Sequence, residues 1–283
     1  MTASSPRYSA TDFKNMTAEL EKVLRLRSNP FGMKMCPSKE EMQAVPRIRR
    51  PQAIHTLDQL VGQTARLGWT LGVTSEDLNS DQCRSVVGLG GQDKEWFEGQ
   101  KMVGVWYATQ ADSAKHQAAM SLVPAGQYKA LILAPLAKWG TADEGLSKGV
   151  TSVMDCPDIA LFYATPGAMM YFINGLQYVG YKRFDWSCVG ESACADSWGR
   201  ALKTREPSLS IPCFAERRYG GVTDDEMLMA LPVEYIPKAL QGMQALSKNG
   251  LRYPFPSYGI QQDVRAGMSA SYAPVTPAAK PTA

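Results

Sequence analysis

One stretch of the chain, residues 186–226, concentrates side chains whose chemistry goes beyond scaffolding. It holds three of the six cysteines, an arginine pair and an acidic run: Cys188, Cys194, Cys213, Arg217, Arg218, Asp224, Asp225 and Glu226. Thiolates are soft metal ligands, guanidinium groups bind carboxylates or phosphates through paired hydrogen bonds, and carboxylates move protons. These residue types together predict a reactive or ligand-holding centre.

Cys83, in the first half of the chain, completes a candidate ligand set with Cys194 and Cys213. Iron–sulfur and zinc sites need several thiolates close together, and motifs such as CxxC mark them most clearly. The chain has no CxxC, so its ligands would have to converge from distant positions. We predict that Cys83, Cys194 and Cys213 hold an iron–sulfur cluster or another metal. The alternatives are one catalytic thiolate or inert, buried cysteines.

Arg217, Asp225 and Glu226 are the candidate catalytic residues. Arg217, at the predicted end of a strand, would anchor a substrate carboxylate, and the alternative is an internal salt bridge to the acidic run. Glu226 or Asp225 would move a proton, while an open metal position polarises a hydroxyl or carbonyl group. The sequence thus predicts an enzyme that acts on a small organic acid, aromatic acids included, by lyase, hydratase or redox chemistry.

Composition and missing motifs exclude several functions. The chain is 45% hydrophobic and 20% charged, and its net charge of +3 forms no basic stripe for nucleic acid. No apolar run approaches the roughly 18–20 residues that span a bilayer, and no secretory signal is visible, so we predict a cytoplasmic protein without a membrane partner. Residues 86–92 contain G-x-G-G but lack the rest of a nucleotide fingerprint. The oligomeric state stays open, a homo-oligomer included.

The elements that must position these residues are predicted to occur twice in the same order. The first set is a strand at 31–35, a helix at 56–68, a strand at 69–73, Cys83, and strands at 102–108 and 128–136. The second is a strand at 158–164, a helix at 167–180, Cys194, and segments 213–215 and 227–230. Cys194 lies 14 positions after Gly180, and Cys83 lies 15 after Gly68. This common order indicates an internal duplication.

We therefore predict an α+β protein with two related strand-helix-Cys-strand-strand halves around a pseudo-two-fold axis, and the site between them. Residues 1–28 form an N-terminal helix, 29–140 the first half, 150–247 the second half with a C-terminal helix, and 268–283 a disordered Ala/Pro-rich tail. Cys83 and Cys194 would be equivalent, each at the start of a short helix, where the thiol pKa is lowered. The competing interpretation is a metal-free binding or assembly protein with structural cysteines.

Several motifs of this chain occur together in a known family. They are PFGMKM (30–35), VVGLG (86–90), Cys194-Ala195, LSIPCFAERR (209–218) and TDDEMLMALP (223–232). With these, the chain from about residue 29 to 246 resembles the DUF169 family of uncharacterised prokaryotic proteins. The resemblance implies no settled activity. It also implies a cysteine in the first-half helix about where Leu60 stands, so a centre that uses that thiol would be altered here.

Overall fold

The computed structural model describes residues 8–91, 93–141, 154–257 and 260–261. In those parts of the chain, no helix has the length and apolar character needed to cross a membrane. The predicted tail at 268–283 lies outside the described residues.

A six-stranded antiparallel sheet lies at the centre of the protein. Its strands are β1 (Phe31–Cys36), β2 (Leu71–Val73), β3 (Ala130–Pro135), β4 (Ile159–Ala164), β5 (Ser208–Ser210) and β6 (Met227–Leu231). Their order across the sheet is β2-β3-β1-β4-β6-β5. Almost every residue of these strands is buried, because helices cover both faces of the sheet. The predictions of strands at 31–35, 128–136, 158–164 and 227–230 are confirmed.

The strand order is the same on both sides of the central β1–β4 pair. Strands β1 and β4 pair with each other at the centre. Strands β3 and β6 lie next to them, and β2 and β5 lie at the two edges.

Helices complete the fold. The α-helices of the described residues are α1 (Ala10–Leu24), α2 (Lys39–Gln43), α3 (Leu57–Leu67), α4 (Asp81–Val86), α5 (Lys94–Phe97), α6 (Gln110–Ala119), α7 (Pro166–Val179), α8 (Arg200–Thr204), α9 (Phe214–Arg218) and α10 (Tyr235–Lys248). A π-helical turn, Ala195–Gly199, leads into α8, so 193–204 is one helical segment. Helices α1, α7 and α10 pack on one face, and α3, α4 and the 193–204 segment pack on the other.

Helix α3 follows the sequence pattern closely. Thr56 caps it by accepting a hydrogen bond from the Gln59 N–H group, and Gly68 ends it in the left-handed conformation at φ 69°. Leu57, Leu60, Val61 and Ala65 are buried against the sheet. The predicted helix is therefore confirmed, and it carries Asp58 into the interior at its first turn.

Two sequence predictions are wrong. Segment 102–108 is not a strand but a turn, held by an isolated bridge between Val103 and Tyr107, with Gly104 at φ 77°. The predicted match of the 56–68 helix with the 167–180 helix also fails, because α3 and α7 pack on opposite faces of the sheet. The helical segment directly before β5 is 193–204. It ends four residues before β5, just as α3 ends four residues before β2.

Candidate functional site

The three candidate cysteines come from three different helical segments on one face of the sheet. Cys83 lies in α4, where the Ser80 side chain caps its backbone N–H group at 3.2 Å. Cys194 begins the 193–204 segment, and Cys213 immediately precedes α9. Cys194 and Cys213 are buried, with 7% and 4% of their surfaces exposed.

Contacts between these segments bring the cysteines into one region. The Gln82 side chain, next to Cys83, hydrogen-bonds to Ser192 Oγ, two residues before Cys194. Helix α3 packs against the turn after α9 so closely that a Cβ atom at Gly62 would clash with the carbonyl oxygen of Gly220. The starts of α3, α4, α9 and the 193–204 segment therefore lie around a common buried space.

The thiols have raised pKa values in this space. Burial and the neighbouring Asp58 raise the pKa of Cys83 to about 11. Burial and the charges of Asp58, Cys213 and Cys83 raise the pKa of Cys194 well above its ordinary value. The predicted lowering of the thiol pKa at helix starts is thus wrong, because desolvation and nearby acidic groups outweigh the helix dipole.

Three carboxyl groups that sequence reasoning missed share the space with the thiols. Asp58, only 4% exposed, has a pKa raised by burial to about 6. Burial and the Asp58 charge raise the pKa of Glu191 to about 7 and that of Glu216 to about 8. The Asp58 charge also raises the pKa values of Cys83, Cys194 and Cys213.

Two of these carboxyl groups have unused hydrogen-bonding capacity. Glu216 is fully buried, and its Oε2 accepts a hydrogen bond from the Cys213 N–H group at 2.9 Å. Its Oε1, like Oε2 of Glu191, is buried without a hydrogen-bond partner. Arg217 is the cation that lowers the pKa of Glu216, and its guanidinium group is bonded elsewhere. Buried polar atoms without partners are uncommon, which makes this group unusual.

The structure brings the predicted types of metal ligand into one region, but among the described residues they do not form a metal site. As the side chains stand, no three His, Cys, Asp or Glu residues in the described parts of the chain come close enough to hold a metal ion. The chemistry of the donors nevertheless suits a transition metal, since thiolates and carboxylates are both metal ligands. Metal binding by Cys83, Cys194 and Cys213 stays a prediction.

Arg217 does not face the thiols as a free substrate anchor. It lies in α9, a helix rather than the predicted strand, with Nε donating to the Pro212 carbonyl at 3.1 Å. Its Nη1 donates to the Thr223 carbonyl at 2.5 Å and lies 3.6 Å from the exposed Asp224 carboxylate. Arg217 thus links the residue that precedes Cys213 to the loop that follows α9.

Glu226 and Asp225 belong to an ion-pair network at the start of β6. Arg66 of α3 makes a two-pronged bond to the buried Glu226 carboxylate, at 3.2 and 2.5 Å. Arg27 binds the exposed Asp225 at 2.8 Å. The Arg66 guanidinium also lies 5.6 Å from the centre of the Tyr163 ring. Burial and the charges of Glu216 and Asp58 raise the pKa of Tyr163, so this ring lies near both Arg66 and the buried carboxyl groups.

Cavities near the site are small. A cavity of about 60 Å³, lined by His116, Ser192 and Asp196 among others, lies beside the start of the 193–204 segment. A cavity of about 680 Å³ lies between α1 and α10, on the opposite face of the sheet. The larger space is therefore separated from the thiols by the sheet itself.

Comparison with known proteins places the chain in a family. The sequence model of DUF169, described as "Uncharacterised ArCR", matches residues 19–242. This chain belongs to the DUF169 family. It is also similar to "Uncharacterized protein MJ0308" of Methanocaldococcus jannaschii, with 24% identity over 89 residues, which cover 31% of this chain and 38% of that protein. The match therefore covers well under half of the length of that relative. No solved structure matches.

Proposed function

We propose that this DUF169 protein binds a metal ion or an iron–sulfur cluster through Cys83, Cys194 and Cys213. One observation carries the proposal: three thiols lie near the buried carboxyl groups of Asp58 and Glu216, and the Glu216 Oε1 atom has no hydrogen-bond partner. Burying several acidic groups together is costly unless a cation compensates them. A metal would supply the missing positive charge.

The two metal-free alternatives fit these residues less well. Inert cysteines are common in protein cores, but that role gives no reason for Asp58 and Glu216 to be buried among them. A catalytic thiolate needs a lowered pKa, whereas burial raises the pKa of Cys83 to about 11. Metal coordination would itself deprotonate the thiols, which removes this difficulty.

We propose further that the centre serves an enzyme acting on a small organic acid. Redox chemistry fits the surroundings better than lyase chemistry, because Arg217, the expected substrate anchor, is bonded to the Pro212 and Thr223 carbonyls. Glu226 is held by Arg66 and is not placed beside the thiols. A proton donor or acceptor would more readily be Asp58 or Glu191, which lie in the same buried space as the cysteines.

We also propose that the two halves are copies related by a pseudo-two-fold axis through the β1–β4 pair. The common strand order supports this, and β2 and β5 begin at an offset of 208 − 71 = 137. The same offset carries the end of α3, Leu67, onto the end of α8, Thr204. The residues that follow, Gly68 and Arg205, both adopt the left-handed conformation. The buried thiols and carboxyl groups would lie near this axis.

The test is the iron, zinc and acid-labile sulfide content of protein purified without oxygen, together with its visible spectrum. We expect bound metal in the wild type and its loss in Cys194→Ser. Cys156→Ser is the matched control, since Cys156 packs on the opposite face of the sheet and its loss should leave the metal in place. Metal-free wild-type protein that also takes up no added iron or zinc would overturn the proposal.

A further inference from the structure

We infer that a cavity at the β2 border of the sheet binds a small planar organic anion, with Arg49 on the anionic group and Trp69 against the ring. The cavity has a volume of about 570 Å³ and lies between residues 49–55, helix α3 and the start of β2. None of the residues that line it belongs to the proposed metal centre, so the inference goes beyond the proposed function. Its polar and aromatic lining consists of Arg49, Arg50, Gln52, His55, Gln63 and Trp69.

The backbone fixes Arg49 at the border of the sheet. Arg47 adopts the left-handed conformation at φ 58°, and the chain after it runs beside β2. The Arg49 N–H group donates to the Thr70 carbonyl at 3.0 Å, and the Arg49 carbonyl accepts from the Gly72 N–H group at 2.9 Å. Ile48 packs against the core on the face that α1 covers, so Arg49, the next residue of an extended segment, lies on the other face. Main-chain hydrogen bonds therefore set the position from which the Arg49 side chain extends.

The Arg49 guanidinium group stacks on the Trp69 ring. Its Cζ atom lies 4.7 Å from the ring centre, which is a cation–π contact. Among the described residues, Asp77 pairs with the neighbouring Arg50, and no carboxylate forms an ion pair with Arg49. Partial burial and the positive charge of Arg49 lower the pKa of Lys138. In this part of the described chain, the Arg49 charge therefore lies near a second cation and lacks an acidic partner.

Arg50 and His55 are held in the wall of the cavity. Arg50 donates to the Asp77 carboxylate at 2.7 Å, which fixes its guanidinium group and offsets its charge. The His55 Nδ1 atom lies 2.6 Å from the Ala53 carbonyl oxygen. That oxygen only accepts, so Nδ1 carries a proton and Nε2 is the ring nitrogen left for a ligand. Arg49 is therefore the main anion-binding group, and His55 supplies a second polar contact.

The lining selects a flat anion. No acidic residue of the described chain lines the cavity, so the field inside it favours a carboxylate or a phosphate group. A guanidinium group binds either of these through two parallel hydrogen bonds. The Trp69 ring and the guanidinium plane on it form a flat wall, against which an aromatic ring of the ligand can stack. Small-molecule sites range from roughly 300 to 1,000 Å³, so this cavity has room for such a ligand.

Two probes distinguish the possible sources of the anionic group. Isothermal titration calorimetry of the full chain would use benzoate, an aromatic carboxylate, and adenosine 5′-monophosphate, a phosphate ester with an aromatic base. We expect at least one of them to bind, with an affinity that falls as the salt concentration rises. Fragments that keep only the anion or only the ring should bind at least about tenfold more weakly than the whole probe. These fragments are acetate and benzyl alcohol for benzoate, and inorganic phosphate and adenosine for the nucleotide.

Substitutions assign the binding to this cavity. Arg49→Gln should weaken binding of the probe at least about tenfold, because it removes the charge and the paired donors. Arg49→Lys keeps the charge without the planar fork, so its affinity should lie between those of the wild type and Arg49→Gln. Trp69→Leu should weaken binding by removing the ring. Arg252→Gln is the matched control, since it removes the same charge from a cavity between α1, α7 and α10, and it should leave the affinity unchanged.

The outcomes are independent of the metal content, so they test this inference separately from the proposed function. Failure of both probes to bind the folded wild type would overturn the inference. An affinity that is the same in Arg49→Gln as in Arg252→Gln would also overturn it, because the Arg49–Trp69 stack would then have a structural role alone. If Trp69→Leu fails to fold, the comparison of Arg49→Gln with Arg49→Lys decides.

Discussion

Glu226 is held by a nearly buried ion pair with Arg66. The Glu226 side chain is 1% exposed, and the Arg66 side chain is 23% exposed. Removing Arg66 would leave a buried carboxylate without its main partner. We expect Arg66→Gln to lower the free energy of unfolding by about 3 kcal/mol in denaturant titrations. Arg27→Gln, which removes a largely exposed arginine, should cost less than about 1 kcal/mol. Equal losses in the two variants would contradict this account.

The same ion pair predicts a dependence of stability on acid. Burial raises the pKa of Glu226, but hydrogen bonds from Arg66 and the Thr223 N–H group outweigh it and leave the pKa below its ordinary value. An ordinary glutamate in the unfolded chain titrates near pH ~4.3. The stabilisation is therefore complete above that pH and is lost as the pH falls through the folded-state pKa.

Urea titrations between pH 3 and 7 measure this effect by comparing the wild type with Glu226→Gln. The variant should be less stable at pH 7, and the difference should shrink as the solution becomes more acidic. A difference that stays constant over this range would show that the Glu226 charge contributes nothing to stability.

The sequence singled out three thiols but not the carboxyl groups near them. Cys83, Cys194 and Cys213 stand out as residue types, and the fold brings them into one region. Asp58 and Glu216 occupy the first turns of helices, where acidic residues are ordinary because they favour the helix dipole and its free N–H groups. Local helix chemistry therefore concealed their burial, which depends on contacts between distant segments.

At the scale of elements, the close approach of α3 to the turn after α9 controls the shape of the candidate site. Alanine is a better helix former than glycine by about 1 kcal/mol, but a Cβ atom at Gly62 would meet the Gly220 carbonyl group. We expect Gly62→Ala to lower the free energy of unfolding by about 1–3 kcal/mol and to reduce the metal content of the purified protein.

Gly242→Ala is the matched control for that variant. Gly242 of α10 lies against the Gly175 carbonyl group of α7, on the opposite face of the sheet. We expect a similar loss of stability, read from thermal unfolding, with the metal content unchanged. Equal losses of metal in both variants would show that general loosening, and not the α3–α9 contact, governs the site.

Periodicity predicted most elements but matched two helices whose places in the fold differ. Amphipathic spacing and glycine stops define α3 and α7 well, so the local pattern matches them with each other although they pack on opposite faces of the sheet. The helical segment directly before β5, 193–204, contains a π-helical turn and lacks a clear start signal. Segment 102–108 has strand-like residues, but Val105 and Trp106 are exposed there. These differences depend on tertiary contacts that a local pattern does not contain.

For the whole molecule, the two halves share their cores. Strands β1 and β4 pair at the centre, and the N-terminal helix α1 packs with α7 and α10 of the second half. We expect the halves to stay together after cleavage at a protease site inserted between Thr141 and Met154. Size-exclusion chromatography should show one species that contains both fragments. Separate elution of the fragments under native conditions would contradict this expectation.

The class of fold could be predicted from the sequence, whereas its layout could not. Strands separated by amphipathic helices indicated a mixed α and β protein, and the common order of the two halves suggested a repeat. The strand order β2-β3-β1-β4-β6-β5 depends on which strands pair across long separations in the chain. No local sequence pattern indicates which strands pair in this way. The central β1–β4 pair in particular joins residues 31–33 to residues 159–161.

The borders of the sheet have a consequence for self-association. The border strands β2 and β5 are three residues long, and the Arg49 backbone already occupies part of the outer side of β2 through bonds with Thr70 and Gly72. Fibre growth by strand addition needs a long row of unoccupied peptide groups, which these short borders do not offer. Copies of this protein that assemble would therefore meet through helices or loops rather than as a continuous β-ribbon.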